Sequence, residues 1–215
     1  MNTKHTELLA YENRKKEILK RANKDYFTIE TKRNSQSIQF IADMLPIIRQ
    51  LYPGKGKKIT VLDVGSRTAA GSALLAKLHS KSTYAKIKMD VTALDIDDTF
   101  KEYVNFCYPE LKYVVKDIFD YDESVKWDLV ICSHTIEHVH NPEKFLSKLI
   151  DLCRDFTIIA CPFEEDKNNL IPEHCNSIDY NFIDRFKPIK KFIYDGMYWH
   201  QSLCGIFVFK GGGDQ

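Results

Sequence analysis

From residue 57 onward the chain alternates. Five short apolar runs, at residues 58–64, 89–96, 113–116, 127–133 and 156–161, are separated by stretches of helical texture at 69–79, 98–107 and 141–152, with a loop around 120–126. Short apolar runs bounded by turn residues read as buried strands. Strands that alternate with helices imply a parallel sheet, because a parallel pair needs a crossover long enough to hold a helix. The last helical stretch has a clear start: Asn141 can cap it, Pro142 suits its first turn, and Phe145, Leu146, Leu149 and Ile150 form its buried stripe. The expected architecture is α/β and Rossmann-like: a central, mostly parallel sheet flanked by helices. Ligands of such sheets bind at the carboxyl ends of the strands, so the residues that follow each run matter most.

Two helical segments precede the alternation. Residues 6–23 carry Leu8, Leu9, Ile18 and Leu19 among charges, and residues 35–52 place Ile38, Ile41, Ala42, Leu45 and Ile48 at spacings of three and four. Pro46 should kink or interrupt the second. Pro53-Gly54-Lys55-Gly56 then closes it. Residues 1–56 therefore read as an N-terminal helical extension or lid, and 57–215 as the ligand-binding domain.

The charge balance argues against two partner classes. With 31 Lys and Arg against 30 Asp and Glu, the net charge of +1 demands neither nucleic acid nor an anionic membrane. The first 33 residues hold nine Lys and Arg against five Asp and Glu, a local excess that reads as a solvated helix face. No apolar run approaches the roughly 20 residues needed to span a bilayer. The six cysteines form no C-x-x-C pair, and Cys132 and Cys161 lie inside apolar runs, as reduced thiols in a cytoplasmic protein would.

The strand ends carry the chemistry. The first run ends at Asp63-Val64-Gly65, the second at Asp95-Ile96-Asp97-Asp98, the third at Asp117, the fourth at Ser133-His134, and the fifth at Cys161-Pro162-Phe163-Glu164-Glu165. One aspartate at a strand end is usually a cap; three along one sheet edge point to a ligand. The stretch VLDVGSRTAAGS (residues 61–72) has the outline of a nucleotide loop, but Arg67 stands where a dinucleotide loop needs its second glycine for close approach of a pyrophosphate. A cofactor without phosphate needs no such glycine, and adenosine carrying a sulfonium amino acid is one. Asp95 would then accept from the ribose hydroxyls and Asp117 from the adenine amino group.

On VLDVGSRTAAGS, VTALDID, VVKDIFDYD, WDLVICSHTIEHVHNPEKFL and IIACP, taken in order, the sequence resembles the class I S-adenosylmethionine-dependent methyltransferases from residue 59 to about 186. The resemblance implies S-adenosylmethionine as cofactor, with Asp63 and Gly65 at its methionyl end. Ser66, Thr68, Asp95, Ile96, Asp117, Ile118 and Ser133 are the other cofactor-binding candidates.

His134-Thr-Ile-Glu137-His138-Val-His140 is the most reactive stretch. H-x-x-E-H is also a metalloprotease signature, but that motif needs a helix and here an apolar strand runs straight into His134. Histidine suits the removal of a proton from an acceptor hydroxyl. His138 is the first candidate for that base, His174 the next, and His134 should line the pocket. Glu137 or a backbone carbonyl should fix the tautomer of His138. Some relatives hold a divalent metal with an E-x-x-E-H stretch and a later histidine; the chain resembles them at Glu137, His138 and His174 but has His134 for the leading glutamate. That exchange disfavours magnesium and leaves zinc, iron or nickel, with a metal-free pocket the expectation. Beyond Cys161, Trp199-His200-Gln201 stands out as a polar, aromatic element for the acceptor. The reading is O-methylation of a small polar acceptor such as a sugar or nucleotide-sugar. An RNA methyltransferase, and a cofactor-binding protein without turnover, are the alternatives. The oligomeric state stays open, with a homodimer among the options.

Overall fold

The computed structural model describes residues 3–54, 56–196 and 203–212. Two helices lead in, α1 (Thr3–Arg21) and α2 (Asn34–Leu51), joined through a π-helical turn at Thr28–Arg33. The alternating part follows as β1 (Lys58–Val64), α3 (Ala70–Leu78), β2 (Lys88–Asp95), α4 (Lys101–Cys107), β3 (Lys112–Val115), β4 (Trp127–Ser133), α5 (Pro142–Asp151) and β5 (Cys153–Phe163). Then come α6 (Tyr180–Asp184), β6 (Lys190–Asp195) and β7 (Leu203–Lys210).

The sheet order is β3-β2-β1-β4-β5-β7-β6. The first five strands are parallel, while β7 runs antiparallel to both β5 and β6. Strand order reverses between β1 and β4, which opens a crevice at their carboxyl ends. The five parallel strands are where the alternation puts them. The antiparallel β6–β7 pair is an addition: β7 covers β5, which reaches from Cys153 to Phe163 and so outruns the apolar stretch 156–161.

Strand residues alternate between two cores. Ile59 and Val61 of β1 pack with Ile41, Met44 and Ile48 of α2 and with Leu75 and Tyr103. Leu62 and Val64 face Val130, Phe145, Leu149 and Phe207. Thus α2 shares a core with β1 across the boundary at residue 56. Gly71 lets it dock: a Cβ there would lie 2.3 Å from the carbonyl oxygen of Ser37, and the Gly71 N–H donates to Ser37 Oγ at 2.9 Å. On α5 the expected cap is present, with Asn141 Oδ1 accepting from the Lys144 N–H at 3.0 Å.

Pro46 does not interrupt α2, which runs through it to Leu51. Its ring is on the exposed side, where the carbonyl left without a donor can be hydrated, while Met44, Ile47 and Ile48 anchor the same turns in the core. The helix expected from residue 98 begins at Lys101, because Asp97 and Asp98 are spent in the turn that ends β2; the Thr99 N–H donates to Asp97 Oδ1 at 2.9 Å. Part of the expected loop around 120–126 is a 3-10 turn at Ile118–Asp120.

Candidate active site

The loop after β1 is shaped by backbone contacts. Gly65 has φ +79°, and a Cβ on it would fall 2.1 Å from Thr135 Oγ1, so no other residue fits there. The N–H groups of Gly65 and Ser66 both donate to the Leu94 carbonyl, at 2.9 and 3.1 Å. Arg67 and Ala69 take left-handed φ values of 50° and 52°. Residues 65, 67 and 69 therefore alternate in a conformation that glycine adopts freely and that costs other residues roughly 1–2 kcal/mol each. The loop keeps a glycine-rich course with two side chains added.

Carboxylates surround it. Asp95 Oδ2 accepts from the Arg67 N–H at 2.7 Å and Oδ1 from the Asp97 N–H at 3.0 Å, which ties the ends of β1 and β2 together. Asp63 is buried and accepts from the Ser72 hydroxyl. Burial pushes its carboxyl up to about 6; the Ser72 bond acts the other way and Asp95 adds to the rise. Asp117 Oδ1 accepts from the Phe119 N–H at 2.9 Å, Ile118 is buried beneath the turn, and Ile96 is exposed at its rim. Asp95, Ile96, Asp117, Ile118 and Phe119 line one side of a cleft of about 590 Å³.

The far side of the cleft is built by the turn after β4. His134 has φ 48°, its N–H donates to the Ala160 carbonyl at 2.7 Å, and its ring stacks on Phe40 of α2 with centroids 3.9 Å apart. Burial first, and then His174 and His138, hold its imidazole down to about 3, so it is neutral. A single 3-10 turn, Ile136–His138, follows. Glu137 lies buried within it: Oε1 is 3.6 Å from His134 Nδ1 and 3.8 Å from His138 Nε2, while Oε2 has no hydrogen-bond partner among the described residues. Burial pushes this carboxyl up to about 8. The Glu137 carbonyl accepts from Cys175 and Asn176 N–H at 2.8 and 3.1 Å, which fastens the later segment to the turn.

That segment brings two outer partners. His138 Nδ1 lies 2.7 Å from the Glu173 carbonyl, which can only accept, so Nδ1 carries the proton and Nε2 the lone pair. His174 Nδ1 lies 2.7 Å from Glu165 Oε2, and the two imidazoles meet edge-on with centroids 4.8 Å apart. Beside them a chamber of about 160 Å³ opens under α2, lined by Arg33, Gln36, Ser37, Ser133, His138 and His174 among others. Gly65, Arg67, His134 and His138 line both chamber and cleft. Among the described residues Thr68 Oγ1, Ser133 Oγ and Glu137 Oε2 are buried without partners, and all three residues line the chamber.

All nine expected cofactor-binding residues and the three histidines thus gather at one sheet edge. Tyr198 and Trp199-His200-Gln201 lie outside the described residues. Sequence reasoning missed Arg33, Gln36, Ser37 and Phe40; their spacing of three and four from the end of the π-helical turn into α2 was the available signal. It also missed the burial of Glu137 and the outer roles of Glu165 and the Glu173 carbonyl, which join positions far apart in the chain.

A strand-end crevice, a glycine-like loop and acidic β2 and β3 termini define a nucleoside-binding α/β protein of the methyltransferase type. A profile of the methyltransferase domain family matches residues 31–162, and the chain belongs to that family, the class I S-adenosylmethionine-dependent methyltransferases. It is an enzyme whose cofactor is S-adenosylmethionine. Solved structures agree on the fold. Magnesium protoporphyrin IX methyltransferase (ChlM) from Synechocystis PCC 6803, with bound S-adenosylhomocysteine, is 13% identical with a TM-score of 0.60, covering 91% of this chain and 94% of that one. The N-terminal domain of EvdMO1, in the presence of S-adenosylhomocysteine and D-fucose, is 13% identical with a TM-score of 0.57, covering 80% and 83%. Coclaurine N-methyltransferase, bound to N-methylheliamine and S-adenosylhomocysteine, is 13% identical with a TM-score of 0.60, covering 79% and 70%. No curated protein sequence matches the chain. No helix among the described residues is long and apolar enough to cross a membrane.

Proposed function

We propose that the enzyme methylates a hydroxyl oxygen of a small polar acceptor such as a sugar or nucleotide-sugar. The observation that carries this reading is the chamber. Three residues that line it each bury a polar atom without a partner among the described residues, and burying such a group unsatisfied costs roughly 1–3 kcal/mol, so polar ligand groups are expected there. Asp63, Gly65, Ser66, Thr68 and Ser133 would hold the methionyl end of the cofactor, Asp95 and Ile96 the ribose, and Asp117 and Ile118 the adenine. Residues 1–56 form the acceptor-side lid, through Arg33, Gln36, Ser37 and Phe40. All six cysteines are free, which suits a reducing, cytoplasmic setting.

In the transfer the acceptor oxygen attacks the methyl carbon, the carbon–sulfur bond breaks toward sulfur, S-adenosylhomocysteine leaves, and the hydroxyl proton must go elsewhere. Loss of that proton depends on His138, the imidazole shared by cleft and chamber, with Nε2 bearing its lone pair. His174 supports it from the edge-on position, and buried, neutral His134 lines the pocket.

The RNA reading finds less support in the N-terminal cations. Lys15 pairs with Glu12 and Glu30, Arg14 with Glu17, and Arg21 with Glu102. Transfer of labelled methyl from S-adenosylmethionine across sugars, nucleotide-sugars, amines and short RNAs tests the proposal. Label entering a hydroxylated small molecule supports it; label entering only amines or RNA refutes it.

A further inference from the structure

Two arginines from separate elements line the chamber: Arg33, at the end of the π-helical turn, and Arg67, in the loop after β1. Among the described residues neither joins an ion pair, and Arg33 Nη1 donates to the neutral side chain of Gln36, at 3.2 Å. Arg14, Lys15 and Arg21, by contrast, all meet glutamates. The acids that line the chamber leave both guanidinium groups alone. Asp63 accepts from Ser72, Glu137 sits buried beside His134 and His138, and Glu173 is exposed and meets His138 through its carbonyl. Arg67 acts on Asp97 from beyond ion-pair distance, behind the two hydrogen bonds from Thr99.

Both positions are built at some cost. The backbone of Arg33 is fixed on either side: Glu30 accepts from Lys15 at 2.8 Å and from the Tyr103 hydroxyl, and Asn34 Nδ2 donates to Tyr103 Oη at 2.8 Å. A π-helical turn is uncommon and often marks a functional position. Arg67 holds φ 50°, which glycine would adopt freely, and strain kept at a ligand-lined loop points to use of the side chain. Between them Ser37 Oγ accepts from the Gly71 N–H and keeps its own proton to donate.

We propose that Arg33 and Arg67 select an acceptor that carries an anionic oxygen group, phosphate or carboxylate, beside the hydroxyl to be methylated. The planar guanidinium fork matches the oxygens of either group. The cofactor leaves this charge unanswered: its methionyl carboxylate comes with an ammonium and a sulfonium, so it adds one net positive charge to a chamber that already holds two. His138 lines the same chamber, so an acceptor anchored by its anion keeps its hydroxyl within the walls that carry the imidazole. The proposal rests on the small-polar-acceptor reading and narrows it: a sugar phosphate, a uronic acid or a nucleotide-sugar is selected over a neutral sugar.

The test uses the full chain saturated with S-adenosylhomocysteine, so that the methionyl carboxylate is already in place. Inorganic phosphate, glucose phosphate, glucuronate, UDP-glucose and neutral glucose are titrated calorimetrically into wild type, Arg33→Gln and Arg67→Gly. Melting temperatures report folding, and S-adenosylhomocysteine affinity is measured separately. Saturable binding of an anionic probe is expected, with glucose at least about 10-fold weaker and each substitution lowering anion affinity at least about 10-fold. S-adenosylhomocysteine should bind both variants as it binds the wild type. Binding by the phosphates alone supports the proposal with phosphate as the group, and by glucuronate alone with carboxylate. No saturable anion binding, equal binding of glucose, or undiminished anion binding in both variants overturns it. So does a loss of S-adenosylhomocysteine affinity in Arg33→Gln as large as its loss of anion affinity, which would assign the arginine to the cofactor. Anion binding that needs both arginines, with label entering only amines, would sink only the hydroxyl reading. Methylation of a neutral sugar, undiminished in Arg33→Gln, would sink only the anion.

Discussion

At the ends of β1, β2 and β3 the site is made of carboxylates and backbone N–H groups that hold one another. Asp95 ties two loops together, Asp117 caps its own turn, and Gly65 is wedged against Thr135. At the ends of β4 and β5 it is made of imidazoles and a buried glutamate whose Oε2 has no hydrogen-bond partner among the described residues, on turns where His134 and Glu164 take left-handed φ values of 48° and 55°. Fixed dipoles suit recognition of a constant ligand; free lone pairs suit proton handling. On the proposed assignment of the site residues the difference separates a cofactor half from a chemical half, and it can be broken by moving one function without the other.

The largest separation is expected at the boundary. His138→Ala should lower turnover by about 10²–10⁴-fold, the usual cost of losing a proton-handling group, in a steady-state assay at saturating cofactor. Equal loss from Phe40→Leu, which removes the ring stacked on His134 and leaves His138 in place, would mean that the pocket rather than the imidazole matters.

Next comes acid–base linkage in the cofactor half. Asp63 titrates near 6 when folded, above its ordinary 3.8, so the folded state holds its proton longer than the unfolded state. Stability from this group is therefore full below about pH 4 and falls as pH rises through 6, by about 3 kcal/mol at most. Asp63→Asn keeps the Ser72 contact without the charge, so its urea midpoint, compared with wild type at pH 4 and pH 7, should gain most at pH 7. A gain of equal size at both values would remove the linkage.

The smallest effect tests the loop. Arg67→Gly should relieve the left-handed strain at φ 50°, with a net gain of roughly 0.5 kcal/mol after the added chain entropy of glycine. A melting temperature raised by about 1–2 °C would fit. A fall would show that the arginine side chain stabilises what its backbone strains.

The cofactor half was legible because its groups stand at strand ends fixed by the apolar rhythm; Asp63, Asp95 and Asp117 need no tertiary information to be singled out. The chemical half was legible only as a list of histidines. That Glu137 is buried, that Glu173 lends a carbonyl to His138, and that Glu165 meets His174 depend on residues 164–178 folding back over β4, which no local pattern specifies. The β6–β7 pair escaped for a related reason. The LCGIFVF run is apolar on both faces, and an antiparallel partner for β5 comes only from the sheet it completes. At Pro46 tertiary burial outweighed a local rule.

The division into halves is tested most directly by titrating S-adenosylhomocysteine calorimetrically into wild type, Asp95→Ala and His138→Ala. The wild type should bind. Asp95→Ala should bind about 100-fold more weakly, because two hydrogen bonds to a charged group are lost at about 1.5–3 kcal/mol each, partly offset by water. His138→Ala should bind as the wild type does. No binding by the wild type, or a loss in His138→Ala as large as that in Asp95→Ala, would contradict the account.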